Sequence, residues 1–290
     1  MTNGRINTTE ESSFRKTVNI LLPFLIYFVV HDLAQVLLAF LVNISLGVFG
    51  SGYVEFMAGN AATVNGICNA LSLTIGMAAV WPMARRELEW ALVLDGKKRE
   101  TGEKPVEKAI RYFLLAIFSA SFALGVNVLM ALAGLTGISE NYQEVAKRQY
   151  GVALGIGILI YGLISPLAEE IVFRGLIYNR MRRYFGKLLS VIVCGVMFGV
   201  YHGNLVQGIY GAVLGIAITG SYEWYGSFLA PVLFHAVANI AVFIAGYDKV
   251  VKGNIVTPFY CAVLLMISAL SLWGIGRRRI SLKRQDTRPK

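Results

Sequence analysis

Charge is scarce in this chain of 290 residues: Asp, Glu, Lys and Arg together make up 15%, the acids number only 17, and histidine and cysteine occur three times each. A water-facing surface needs more than that, since ordinary soluble domains carry about 25% charged residues. A soluble globular fold is therefore excluded. Cys68, Cys194 and Cys261 stand in separate apolar stretches without paired spacing. This excludes a disulfide framework and a cysteine-rich zinc site. They read as small core residues, with a minor reading of Cys194 as a nucleophile because it lies two helical turns before His202. There is no internal repeat of fixed period, which argues against the repeat-built transporters. The first apolar stretch is too long for the core of a cleavable signal peptide and is expected to remain as an anchor.

What the chain has is hydrophobicity: 56% of its residues are apolar and the mean hydropathy is +0.60. Apolar stretches recur from end to end, and a helix needs about 20 such residues to cross a hydrocarbon core. The expected architecture is an all-α, polytopic transmembrane bundle of about eight spans. They run from Thr17 to Leu46, Ala61 to Met83, Tyr112 to Leu135, Tyr150 to Ala168, Leu188 to His202, Leu205 to Ser221, Phe228 to Gly246 and Thr257 to Gly274. The first carries His31-Asp32 at its middle and is either one long tilted helix or two short segments.

Basic residues orient the bundle, because loops retained in the cytoplasm are enriched in Lys and Arg. With eight spans, 23 of the 27 basic residues fall on one side, leaving Lys147, Arg148, Lys249 and Lys252 on the other. Both termini are expected in the cytoplasm. The net charge of +10 flanks the spans and is interleaved with acids such as Glu87 and Glu89, so it suits lipid headgroups rather than nucleic acid. Residues 1–145 read as scaffold spans with a charged cytoplasmic loop, 146–250 as the functional core, and 251–290 as a last span with a basic tail.

Ionisable groups inside a bilayer are costly and mark function by default. In the core they form three patterns. In Glu169-Glu170-xxx-Arg174, Glu170 and Arg174 are four apart and can pair on one helix face, whereas Glu169 points about 100° away and is free to face a cavity as a general base. Phe198-xxx-His202 sets an aromatic ring beside an imidazole. His235-xxx-Asn239 puts two hydrogen-bond donors on one face of an apolar helix, the requirement for holding an oxyanion. Taken one at a time, each pattern also has a structural explanation: a helix end at the headgroups, an interfacial turn, an interhelical hydrogen bond.

In this order, the three motifs resemble the CAAX protease and bacteriocin-processing (CPBP, Abi) family of intramembrane glutamic endopeptidases, over roughly Tyr150 to Ala245. The resemblance implies a peptidase in which Glu169, with His202, activates water, His235 and Asn239 hold the tetrahedral oxyanion, and Glu170, Arg174 and Phe198 support the geometry. It implies a membrane-associated peptide or protein substrate: a CAAX-type protein, a pheromone precursor or a leader peptide. No cofactor is implied; zinc is the alternative, disfavoured because His-Glu-xx-His is absent. A non-catalytic bacteriocin-immunity or peptide-binding scaffold is the competing function. The expected location is a bacterial cell membrane, with hydrolysis near the cytoplasmic face, where the fourth span ends. Simple alternation then leaves His202 on the face opposite Glu169.

Overall fold

The computed structural model describes residues 12–95, 104–248 and 253–286. They form a helical bundle with no strand among the described residues. The elements in chain order are α1 (Ser13–Val48), α2 (Ser51–Gly59), α3 (Ala61–Asp95), α4 (Pro105–Leu132), α5 (Glu140–Tyr150), α6 (Leu154–Phe185), α7 (Lys187–Tyr201), α8 (Leu205–Tyr225), α9 (Leu229–Tyr247) and α10 (Pro258–Asp286). Seven of these, all but α2, α5 and α7, are long and apolar enough to cross a membrane. The protein is a multi-pass integral membrane protein.

The first apolar stretch is a single 36-residue helix. The fourth differs most from expectation. The acids Glu169 and Glu170 read as a span end, yet α6 continues to Phe185 and both acids sit at its midpoint. Charge ends a span only where it would face lipid. Here Glu169 is 8% exposed and Glu170 and Arg174 are fully buried, so the helix can run through them. It does so with two stretches of wider, π-type turn, Ile160–Ile164 and Ile171–Tyr178, a form frequent at functional sites.

Helix α7 has 15 residues, so it rises only about 22 Å and cannot cross a core about 30 Å thick. It turns back from α6 at Gly186, which adopts a left-handed φ of 74°. Running antiparallel at half the length of α6, it ends level with the α6 midpoint. Phe198 accordingly meets Phe173 at 5.1 Å. This resolves the conflict over His202: a half-length helix delivers it to Glu169 without crossing the bundle. Helix α8 then returns alongside α7. Their backbones touch because Gly195, Gly199, Gly211 and Gly215 face one another: a Cβ on Gly195 would lie 2.6 Å from the Ile216 nitrogen, and one on Gly199 would collide with Gly208 and Ala212. The spacings Gly195-xxx-Gly199 and Gly211-xxx-Gly215 thus bring the two helices together.

Direction alternates along the series, so the start of α1 and the end of α10 share one face of the bundle. That face is tied by ion pairs. Glu87 of α3 accepts from Arg180 at 3.0 Å and from Arg183, and Glu223 of α8 accepts from Arg182 at 2.8 Å and from Lys187.

Candidate active site

The seven residues singled out in the sequence converge around the α6 midpoint. Glu170 lies on the closed side. Its Oε1 accepts from Arg174 Nη1 at 2.7 Å and from His235 Nδ1 at 2.7 Å. Arg174 is spent in every direction: Nε donates to Thr219 Oγ1 at 3.1 Å, Nη2 to the Gly215 carbonyl at 2.8 Å, and its guanidinium lies 4.8 Å over the Phe198 ring. A buried charge persists where it is paired and its remaining protons are bonded. This arginine satisfies both conditions.

The bond to Glu170 orients His235. A carboxylate held by a guanidinium accepts only, so Nδ1 of His235 carries the proton and Nε2 is turned away. Nε2 lies 3.7 Å from Oε2 of Glu169, too long for a direct hydrogen bond and suited to a bridging water. Glu169 is anchored through its other oxygen, Oε1, which accepts from Ser165 Oγ at 2.6 Å. Its Oε2 is buried without a partner. Each carboxylate keeps one buried oxygen without a partner, but Glu170 is tied to Arg174 and His235 through Oε1, whereas Glu169 borders the cavity, the separation that one residue of helical rotation foretold.

His202, just past the end of α7, bonds through Nδ1 to the Phe198 carbonyl at 2.8 Å. A carbonyl accepts only, so Nδ1 is the protonated nitrogen and Nε2 presents a lone pair. Phe198 is packed edge-on to both histidines, with centroids 5.0 Å from His202 and 5.4 Å from His235.

Asn239 has a role that the sequence reading missed: its Nδ2 donates to the Tyr161 carbonyl at 3.0 Å. That carbonyl needs a donor because Ser165 N–H reaches back to Ile160 and the next residue, Pro166, has no N–H. One of the two amide hydrogens of Asn239 is therefore committed to the backbone of α6, and one remains. Ser165, Thr219 and Gly215 were also missed. Ser165 stands one turn before Glu169, a spacing that could have identified it; the other two lie more than 40 residues from Arg174 and carry no local signal.

Two other side chains noted in the sequence fall outside the cluster. Cys194 is fully buried, with Sγ 3.4 Å from the Phe173 carbonyl, and does not line the cavity described next. His31 bonds its neighbour Asp32 at 2.9 Å and stacks on Tyr27, on α1.

Glu169, Phe198, His202, His235 and Asn239 border a cavity of about 780 Å³, within the range of ligand sites. It extends past the first turns of α3, the end of α4, α5 and the first turn of α8, all toward the face opposite the ion-paired one. The expected site near the cytoplasmic face is thus corrected: the clustered side chains are at mid-bundle, and their cavity runs away from the basic loops. Among the described residues no three His, Cys, Asp or Glu side chains are grouped closely enough to hold a metal ion.

Residues 151–241 match the family model described as type II CAAX prenyl endopeptidase Rce1-like. Over these residues the chain is similar to that family. A curated relative, the Bacillus subtilis (strain 168) protein named "Putative membrane peptidase YdiL", is 25% identical over 142 residues, covering 49% of this chain. The chain spans 57% of that relative's length. No solved structure matches significantly.

Proposed function

We propose that the chain is an intramembrane endopeptidase in which the Glu169 carboxylate activates water for attack on a peptide bond of a membrane-associated substrate. The observation that carries this reading is the buried, unpartnered Oε2 of Glu169, opposed at 3.7 Å by His235 Nε2 beside the cavity. A desolvated carboxylate oxygen facing an imidazole is expensive unless a reactant occupies the gap.

Water held between these groups and the Nε2 lone pair of His202 gives a proton to Glu169. Its oxygen bonds to the scissile carbonyl carbon, and the C=O electron pair moves to the oxygen. That oxyanion is met by the uncommitted amide hydrogen of Asn239 and by an N–H at Nε2 of doubly protonated His235, whose ring is held in place by the Glu170 carboxylate behind it. Collapse expels the amine, which leaves with the proton returned from Glu169. No Ser or Cys nucleophile and no covalent intermediate is needed.

The test is cleavage of membrane-associated peptides by the purified full chain in lipid nanodiscs, compared with Glu169→Gln and His235→Ala. Cleavage by wild type that disappears in both variants, with thermal unfolding unchanged in Glu169→Gln, is the expected result. Binding without cleavage, insensitive to Glu169→Gln, would turn the reading to a peptide-binding scaffold.

A further inference from the structure

The lining of the cavity beyond the reacting groups is unusual for a bundle in lipid. Six carboxamide side chains face it: Gln35, Asn65, Asn69, Asn127, Gln149 and Gln207. Three have partners inside the protein, since Gln35 accepts from Ser72 at 2.8 Å, Gln207 accepts from Asn204 and Asn127 bonds Tyr142. Asn65, Asn69 and Gln149 make no side-chain hydrogen bond among the described residues. Asn65 and Asn69 stand four apart on the first two turns of α3, so they form a ladder on one face of the helix, leading inward toward Glu169. Apart from Glu169, no acid lines this space, and the cation among its lining residues is Arg148, at the end of α5 and paired with Glu144. Burial beside Tyr142 pushes the neighbouring Tyr150 phenol up to about 12, so it remains a neutral donor near neutral pH.

Carboxamides offer one donor group and one acceptor side by side, which is the pattern a peptide main chain presents in return. A prenyl or acyl chain would bond none of them and would strand all three free amides away from water. The geometry also sets a direction, because the amide ladder lies on the side of Glu169 away from the basic loops.

We infer that the cavity is a binding site for the main chain of an extended, unlipidated peptide segment, which reaches Glu169 from the face opposite the basic loops. This rests on the peptidase reading for its chemistry but not for its binding. Asn65 and Asn69 hold the segment through backbone amides, so recognition is broad in side chain and strict in conformation.

The experiment uses the full chain in proteoliposomes, sorted by whether trypsin reaches the basic tail, and short fluorogenic peptides in two forms, with a free or an S-farnesylated cysteine. Unlipidated peptides are expected to be cut at least as efficiently as farnesylated ones, and only when added to the face opposite the basic tail. Asn65→Leu with Asn69→Leu is expected to raise KM about tenfold or more while kcat stays within about twofold, as for loss of two hydrogen bonds made equally in ground and transition states. Asn65→Gln with Asn69→Gln, which keeps the carboxamides, is expected to recover most of the affinity and so separates binding from folding. Cleavage confined to farnesylated peptides, or to peptides added on the basic side, overturns the inference and leaves the peptidase reading intact. If no peptide is cut, the peptidase reading fails, and the inference is decided by fluorescence anisotropy of the unlipidated peptide: binding weakened by the leucine pair supports it, and absence of binding overturns it.

Discussion

Helices α1 and α6 are both long and apolar, yet they solve different problems. Of the most apolar window of α1, 6% is buried; of that of α6, 56% is. α1 presents large apolar side chains such as Val29, Leu33 and Val36 outward and gains its stability from lipid. α6 is buried without a break from residue 168 to 179, so it can hold two acids and an arginine at mid-membrane, together with irregular turns whose freed carbonyl is capped by Asn239. The difference teaches that burial, rather than composition, permits ionisable chemistry inside a membrane protein. Mutations should therefore be costly around α6 and mild in the first two helices.

The largest effect is expected from Glu169→Gln. Losing the general base should lower the cleavage rate by about a thousandfold, within the 10²–10⁴ range such groups supply, while the melting temperature holds because Oε2 has no partner to lose. Next is Arg174→Met, which leaves Glu170 buried without its cation and removes the bonds to Thr219 and Gly215. A loss of about 3 kcal/mol is expected, read as a drop in thermal stability by size-exclusion chromatography. Gly195→Ala should cost about 2 kcal/mol, because its Cβ would press on the α8 backbone. Gly52→Ala in α2 has nothing within 4 Å of the added carbon and should be neutral or slightly stabilising. If those two alanines cost the same, the contrast between the halves fails. Asn239→Ala should cost about 1 kcal/mol by orphaning the Tyr161 carbonyl and also lower kcat; an unchanged kcat would confine this residue to the backbone of α6. The smallest effect is expected from Glu89→Ala, whose exposed pair with Arg85 should contribute about 0.5 kcal/mol or less, with cleavage unaltered.

Much of this was legible in the sequence, for identifiable reasons. Apolar runs locate helices because lipid imposes one length on them all. Glu170 and Arg174 could be paired, and Glu169 separated from Glu170, because those relations are fixed by helical rotation within a few residues. The bond between Glu170 and His235 spans 65 residues and has no local signature, and neither does the Tyr161 carbonyl capped by Asn239. The length of α6 was misread for a related reason. A charged pair ends a span only if it faces lipid, and whether it does is decided by α7, α8 and α9 folding around it. The half-length of α7 was visible as a 15-residue run, but its consequence, bringing His202 level with Glu169, depended on where α6 ended.

The most direct measurement of the central claim is peptide cleavage by the purified chain after metal stripping, run alongside Glu169→Gln and followed by mass spectrometry of the products. Full activity of the stripped protein, together with loss in Glu169→Gln, is the result expected for a carboxylate acting on water by itself. Activity that vanishes on stripping and returns with added zinc would contradict the account.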